Sequence, residues 1–132
     1  MSDIKKDDTK KVDIKIADIE SKGTMINKVN IYSPLTETSF YILLSLLEPL
    51  HGYGVITKVE EMTSGRVKLA AGTLYGAFNI LLKNGLIERI GEDPEYPRRI
   101  IYQITPSGEL LLDYEIKRLK DMVEDGIHER NR

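Results

Sequence analysis

The chain has 132 residues, 41% hydrophobic and 30% charged, the proportions of an ordinary globular domain. It has no cysteine, which excludes disulfides, thiolate nucleophiles and thiolate metal sites. The net charge of −2 runs against the basic balance common among nucleic-acid binders, so any such function needs a local basic face. No apolar run approaches the roughly 20 residues of a membrane span. The opening "MSDIKKDDTKK" lacks the apolar stretch of a secretory leader, so a cytoplasmic protein without membrane contact is expected.

Residues 1–28 alternate lysine with aspartate and carry only scattered isoleucine and valine, which predicts a polar arm over 1–34, mobile or partner-dependent. A folded domain is expected over 35–104. Its first helix lies in "TETSFYILLSLLEPL", with Thr36 as N-cap, Glu37 in the first turn, and Pro49 ending it. The second lies in "HGYGVITKVEEMTSG", where Val55, Ile56, Val59 and Met62 recur at helical spacing and Gly65 closes the end. A short strand is expected in "RVKL". The third helix, "GTLYGAFNILLK", turns Leu74, Phe78, Leu81 and Leu82 to one face and stops at Asn84-Gly85. Two strands, "LIERI" and "RRIIYQI", follow around the charged loop "GEDPEYP". Thr105 and Pro106 start a last helix over 105–126, with a tail at 127–132. Its stripe Leu112, Ile116, Leu119, Val123 needs a partner surface.

The third helix opens unusually, on small, polar and aromatic residues. Helix, helix, short strand, helix, then a two-stranded ribbon is the plan of a winged helix-turn-helix: mostly α, with the third helix in the DNA major groove. In that setting Gly72 and Gly76 let backbone amides approach a phosphate at the positive end of the helix. Thr73 and Tyr75 offer hydroxyl donors to phosphate oxygens. The outer face also carries Asn79, able to bond an adenine edge, Lys83, able to neutralise a phosphate, and Ile80, suited to a thymine methyl or to packing under the wing. Arg98 and Arg99 follow Pro97 at the wing, where strand alternation would turn one of them away. Glu92, Asp93 and Glu95 in the wing loop are a counter-signal.

The run from "LTETSFYILLSLLEPLHGYGV" to "GTLYGAFNILLKNGLIERI", followed by "RRIIYQITPSGELLL", closely resembles the PadR-like transcriptional regulators over about 35–122. "HGY" at 51–53, "GTLY" at 72–75, "GLI" at 85–87 and "YQITPSG" at 102–108 carry the resemblance together, in order. It implies a homodimeric repressor on a pseudo-palindromic operator in double-stranded DNA, with the "GTLY" helix as recognition helix and wing arginines on DNA. It also implies a dimer built from the first and last helices, which here means Phe40, Leu112, Ile116, Leu119 and Val123. Some relatives bind a small-molecule effector at that interface, where Phe40, Tyr41 and Tyr114 are the nearest aromatic residues. The arm over 1–34 and Ala71, where relatives often have proline, depart from the pattern.

An enzyme is not expected. His51 sits in a turn, where the resemblance makes it a structural residue that caps or bonds nearby backbone, and His128 lies in the tail; neither has metal-ligand spacing. "GTLYG" lacks the Gly-Lys-Ser/Thr ending of a phosphate-binding loop, and no serine lies in a nucleophile elbow. No cofactor or metal is expected. The alternative is a winged-helix protein-interaction module without operator binding, favoured by the acidic wing and negative net charge.

Overall fold

The computed structural model describes residues 32–132, so nearly all of the expected arm lies outside the described residues. Two compact units are present: residues 35–109 and, among the described residues, 32–34 with 110–132.

The first unit begins with helix α1 (Glu37–Ser45). Thr36 is extended, and its hydroxyl accepts the Ser39 amide at 3.1 Å, as the sequence suggested. The helix ends at Ser45, not at Pro49. Proline disfavours helical geometry in the residue before it, so the chain must unwind earlier. It does so through the Leu46 amide, shared between the carbonyls of Ile42 (3.1 Å) and Leu43 (3.2 Å).

Strand β1 (Leu50–His51) runs straight into helix α2 (Gly52–Met62). Val55 and Val59 are fully buried, whereas Met62 is exposed. The end of α2 differs from expectation in one detail. The Gly65 amide does bond the Glu60 carbonyl (2.8 Å), and the Ser64 amide bonds Glu61 (3.1 Å), the two bonds of a Schellman motif. But the first left-handed residue is Ser64 (φ 51), with Gly65 (φ 81) following. "RVKL" forms no strand, and within it only Leu69 is buried.

Helix α3 (Ala71–Lys83) buries Leu74, Phe78 and Leu81. It ends as the Asn84-Gly85 signal predicts. Gly85 turns left-handed (φ 71), while the Leu86 amide bonds Leu81 (2.9 Å) and the Gly85 amide bonds Leu82 (3.1 Å). Strands β2 (Ile87–Glu92) and β3 (Ile100–Ile104) pair antiparallel, Ile87 opposite Ile104 and Glu92 opposite Ile100, with a register irregularity between Arg89 and Gly91. The sheet order is β1-β3-β2, with Leu50 opposite Tyr102 and His51 opposite Ile101. The Ile104 amide also bonds the Leu46 carbonyl (2.9 Å), joining β3 to the end of α1.

Helix α4 (Pro106–Arg130) starts where Thr105-Pro106 predicts. The Thr105 hydroxyl accepts the Gly108 amide (3.1 Å) and donates to the Gly85 carbonyl (2.6 Å). A Cβ on Gly108 would collide with the Leu86 carbonyl oxygen, so the "TPSG" motif is a close-packed junction between the root of α4 and the exit of α3. In the second unit, Leu111, Leu112 and Glu115 are buried. Glu115 accepts the Arg118 guanidinium at 2.6 and 3.1 Å and the Ser33 hydroxyl at 2.8 Å. The hydrogen bonds to Glu115 hold the Arg118 pKa above its ordinary value.

Candidate nucleic-acid interface

The buried residues of α3, Leu74, Phe78 and Leu81, define one side of the helix. The opposite meridian, at steps of four, three and four residues, is Gly72, Gly76, Asn79 and Lys83. All four are exposed, as are Thr73 and Ile80 on one flank and Tyr75 on the other. Cβ atoms built on Gly72 and Gly76 would meet nothing within 4 Å, so neither glycine is required by packing. The N-cap, Ala70, gives no side-chain bond, so the first-turn amides of α3 are not satisfied by a cap.

Tyr75 is 47% exposed and is held from two sides. Its ring meets Phe78 edge-on, centroids 5.8 Å apart at 82°, and Phe78 in turn packs on Tyr102 at 4.6 Å. Its hydroxyl end lies over Gly52, where a Cβ would come within 2.5 Å of the Tyr75 oxygen. That contact gives the glycine of "HGY" its reason. His51 is the N-cap residue of α2 by backbone but makes no side-chain capping bond, so the cap, one of the two expected forms of its structural role, is not made by the imidazole. Its imidazole instead stands 3.3 Å from where a Gly54 Cβ would be.

Arg98 and Arg99 precede β3, so strand alternation does not govern them, and both are exposed. The wing tip is internally bonded: the Arg99 amide to the Tyr96 carbonyl (2.8 Å), the Asp93 amide to the Arg99 carbonyl (2.8 Å), and the Glu95 amide to Asp93 Oδ1 (2.9 Å). Asp93 therefore has a structural use, whereas Glu92 and Glu95 are exposed. A cleft of about 290 Å³ brings Tyr75 together with Arg98 and Arg99, beside His51 and Tyr53. Sequence reading did not single out Tyr53, which is 68% exposed in the first turn of α2. Ile80 is 62% exposed and does not pack under the wing. Arg66, a further exposed arginine of the winged unit, is engaged elsewhere. It pairs with Glu37 and bonds the Tyr41 hydroxyl (3.1 Å), bonds that hold its pKa above the ordinary value.

The residues assigned to the dimer interface are placed unevenly. Leu112 is 1% exposed, so its surface is already covered within the chain. Phe40 and Ile116 are half-buried, and Leu119 and Val123 are exposed with Met122 and Ile127. Among the described residues no His, Cys, Asp or Glu cluster could hold a metal ion, and no helix is long and apolar enough to cross a membrane.

Three helices, an antiparallel wing and an open third-helix face define a winged helix-turn-helix protein. The family model described as "Transcriptional regulator PadR-like family" matches residues 42–113, and the chain belongs to that family. Its members are transcriptional regulators and not enzymes. Among solved structures the chain is similar to a transcriptional regulator from Clostridium thermocellum: 25% identity, TM-score 0.57, over 78% of this chain and 93% of that one. A PadR-like transcriptional regulator from Bacillus cereus is similar at 26% identity and TM-score 0.56, over 72% of this chain and 91% of the other. A PadR family regulator from Eggerthella lenta shares the fold at TM-score 0.57 and 20% identity, over 88% of this chain and 96% of that one. No curated protein matches the chain.

Proposed function

We propose that this transcriptional regulator is a cytoplasmic homodimer that binds double-stranded DNA at a pseudo-palindromic operator, represses from there, and is released by a small ligand or another signal. The observation that carries the reading is the pair Gly72 and Gly76. Each weakens α3, neither is needed for packing, and both lie on its outward meridian. Such a face suits an outside partner whose backbone must come close, as a duplex does in the major groove. Gly72 clears the uncapped first turn for a phosphate. Thr73 and Tyr75 donate hydroxyls to phosphate oxygens, Lys83, Arg98 and Arg99 supply charge, and Asn79 reads an adenine edge. Ile116, Leu119 and Val123, with Phe40 of α1, form the dimer contact, while Leu112 supports it from within. The recognition helices of a dimer would then address half-sites about one duplex turn apart, roughly 34–36 Å or a multiple.

The direct test begins by enriching duplexes from a random-sequence pool with the full chain. Affinity for the winner is then followed by fluorescence anisotropy across a salt series. Log affinity should fall against log salt with a slope near −0.9 for each phosphate neutralised, and Lys83→Ala should make it shallower by about 0.9. Tyr75→Ala should weaken binding. Failure to enrich any duplex, even at low salt, would leave the other reading, a protein-interaction module, which the exposed carboxylates of Glu92 and Glu95 at the wing favour.

A further inference from the structure

The wing loop carries three acids, yet in it one arginine is held by something else. Tyr96, Pro97, Arg98 and Arg99 form a turn closed by the bond from the Arg99 amide to the Tyr96 carbonyl (2.8 Å), with proline at the second position. The first and last side chains of this turn meet: the Arg99 guanidinium lies 4.2 Å from the centroid of the Tyr96 ring. Among the described residues Arg99 forms no ion pair with Glu92, Asp93 or Glu95. Asp93 is already occupied in shaping the tip, through Oδ1 to the Glu95 amide at 2.9 Å.

We infer that Tyr96 is a positioning residue for Arg99, and that the stacked pair, rather than a free arginine, is what the wing presents to a DNA phosphate. The inference rests on the DNA-binding reading proposed above. A guanidinium lying on an aromatic face keeps its N–H edges open to an acceptor while its long side chain loses freedom before binding. An exposed arginine would otherwise be ordered only on contact. It would also pair with its acidic neighbours, which compete with a phosphate for the same guanidinium edges. Stacking on a neutral ring holds the charge without neutralising it, so an acidic loop can still deliver a cation. Among the described residues Arg98, at the third position of the turn, stacks on no ring, which separates the roles of the adjacent arginines.

The experiment uses the full chain and the duplex it enriches from the random pool. Affinities are measured for Tyr96→Phe, Tyr96→Leu, Arg99→Ala and the double variant Tyr96→Leu with Arg99→Ala. Both residues are exposed, so thermal melts should superimpose on the wild type. Tyr96→Leu should weaken binding about 2- to 5-fold, the range expected for an exposed cation–aromatic contact, and Tyr96→Phe should bind as the wild type does. Arg99→Ala should weaken binding and make the salt slope shallower by about 0.9. In the Arg99→Ala background, Tyr96→Leu should change nothing further. An equal loss with Tyr96→Phe would mean that the hydroxyl acts directly. An undiminished effect of Tyr96→Leu without Arg99, or an Arg99→Ala variant of wild-type affinity, would overturn the inference while leaving DNA binding intact. If the wild type enriches no duplex, the DNA-binding reading itself fails and this inference falls with it.

Discussion

A glycine within a helix costs about 0.5–1 kcal/mol relative to alanine, so each one in α3 asks for a reason. Gly76 has none inside the protein, because a Cβ there would meet open space. Gly76→Ala should therefore stabilise the fold by about 0.5–1 kcal/mol and raise the melting temperature by several degrees. The same methyl should stand between α3 and DNA and weaken binding. A variant that melts higher yet binds the enriched duplex as tightly as the wild type would remove the clearance argument. The residues of this face were legible in the sequence because the core residues of α3 show helical spacing, which fixes the outer face by exclusion. What was not legible was the support beneath them. Tyr75 packs on Phe78 and over Gly52, and the Arg99 guanidinium lies over the Tyr96 ring. Nothing in linear spacing announces that Gly52 lies beneath Tyr75, twenty-odd positions on.

Among the elements, helix starts were easiest to read, because Thr36 and Thr105 are chemically explicit caps that both make their bond. Helix ends were harder. At α3 the glycine occupies the left-handed position itself, whereas at α2 it stands one residue late and Ser64 takes the left-handed turn at φ 51. A side chain there costs about 1–2 kcal/mol; glycine would remove that cost, and its greater freedom when unfolded would offset part of the gain. Ser64→Gly should therefore stabilise the chain by up to about 1 kcal/mol in urea unfolding without changing DNA affinity. An unchanged or lower midpoint would show that Ser64 is not strained. The strand expected in "RVKL" was misplaced for a topological reason. β3 has two edges, one paired with β2 and the other with Leu50–His51, so no edge of β3 remains for residues 66–69. A two-residue strand such as β1 is too short to show alternation, and its pairing is decided only by the fold.

At the scale of the whole molecule the net charge was the least useful clue. The −2 sums the acids of α4 together with the rest, while Lys83, Arg98 and Arg99 are each exposed on the winged unit. The last helix was legible as an element but not in its division of labour. Its stripe begins as core at Leu112 and becomes surface by Val123, 59% exposed. Leu119, Met122, Val123 and Ile127 form an apolar face along its distal half that the described residues leave exposed. If that face joins two copies, Leu119→Glu with Val123→Glu should convert a dimer to a monomer in light scattering coupled to size-exclusion chromatography. The winged unit should stay folded, and operator affinity should fall because two half-sites can no longer be engaged at once. A wild-type monomer at micromolar concentration, or a double variant that remains dimeric, would place the dimer contact elsewhere.

The contact of Tyr75 with Gly52 also makes a statement about relatives of this chain. The space above position 52 is filled by the ring at position 75, so the two sites are not free to vary independently. Where a homologue carries a larger residue at the first, the aromatic ring at the second should be lost or displaced. The two short motifs that mark the family, one opening α2 and one opening α3, would then be inherited as a single unit, selected together because they occupy the same few cubic ångströms.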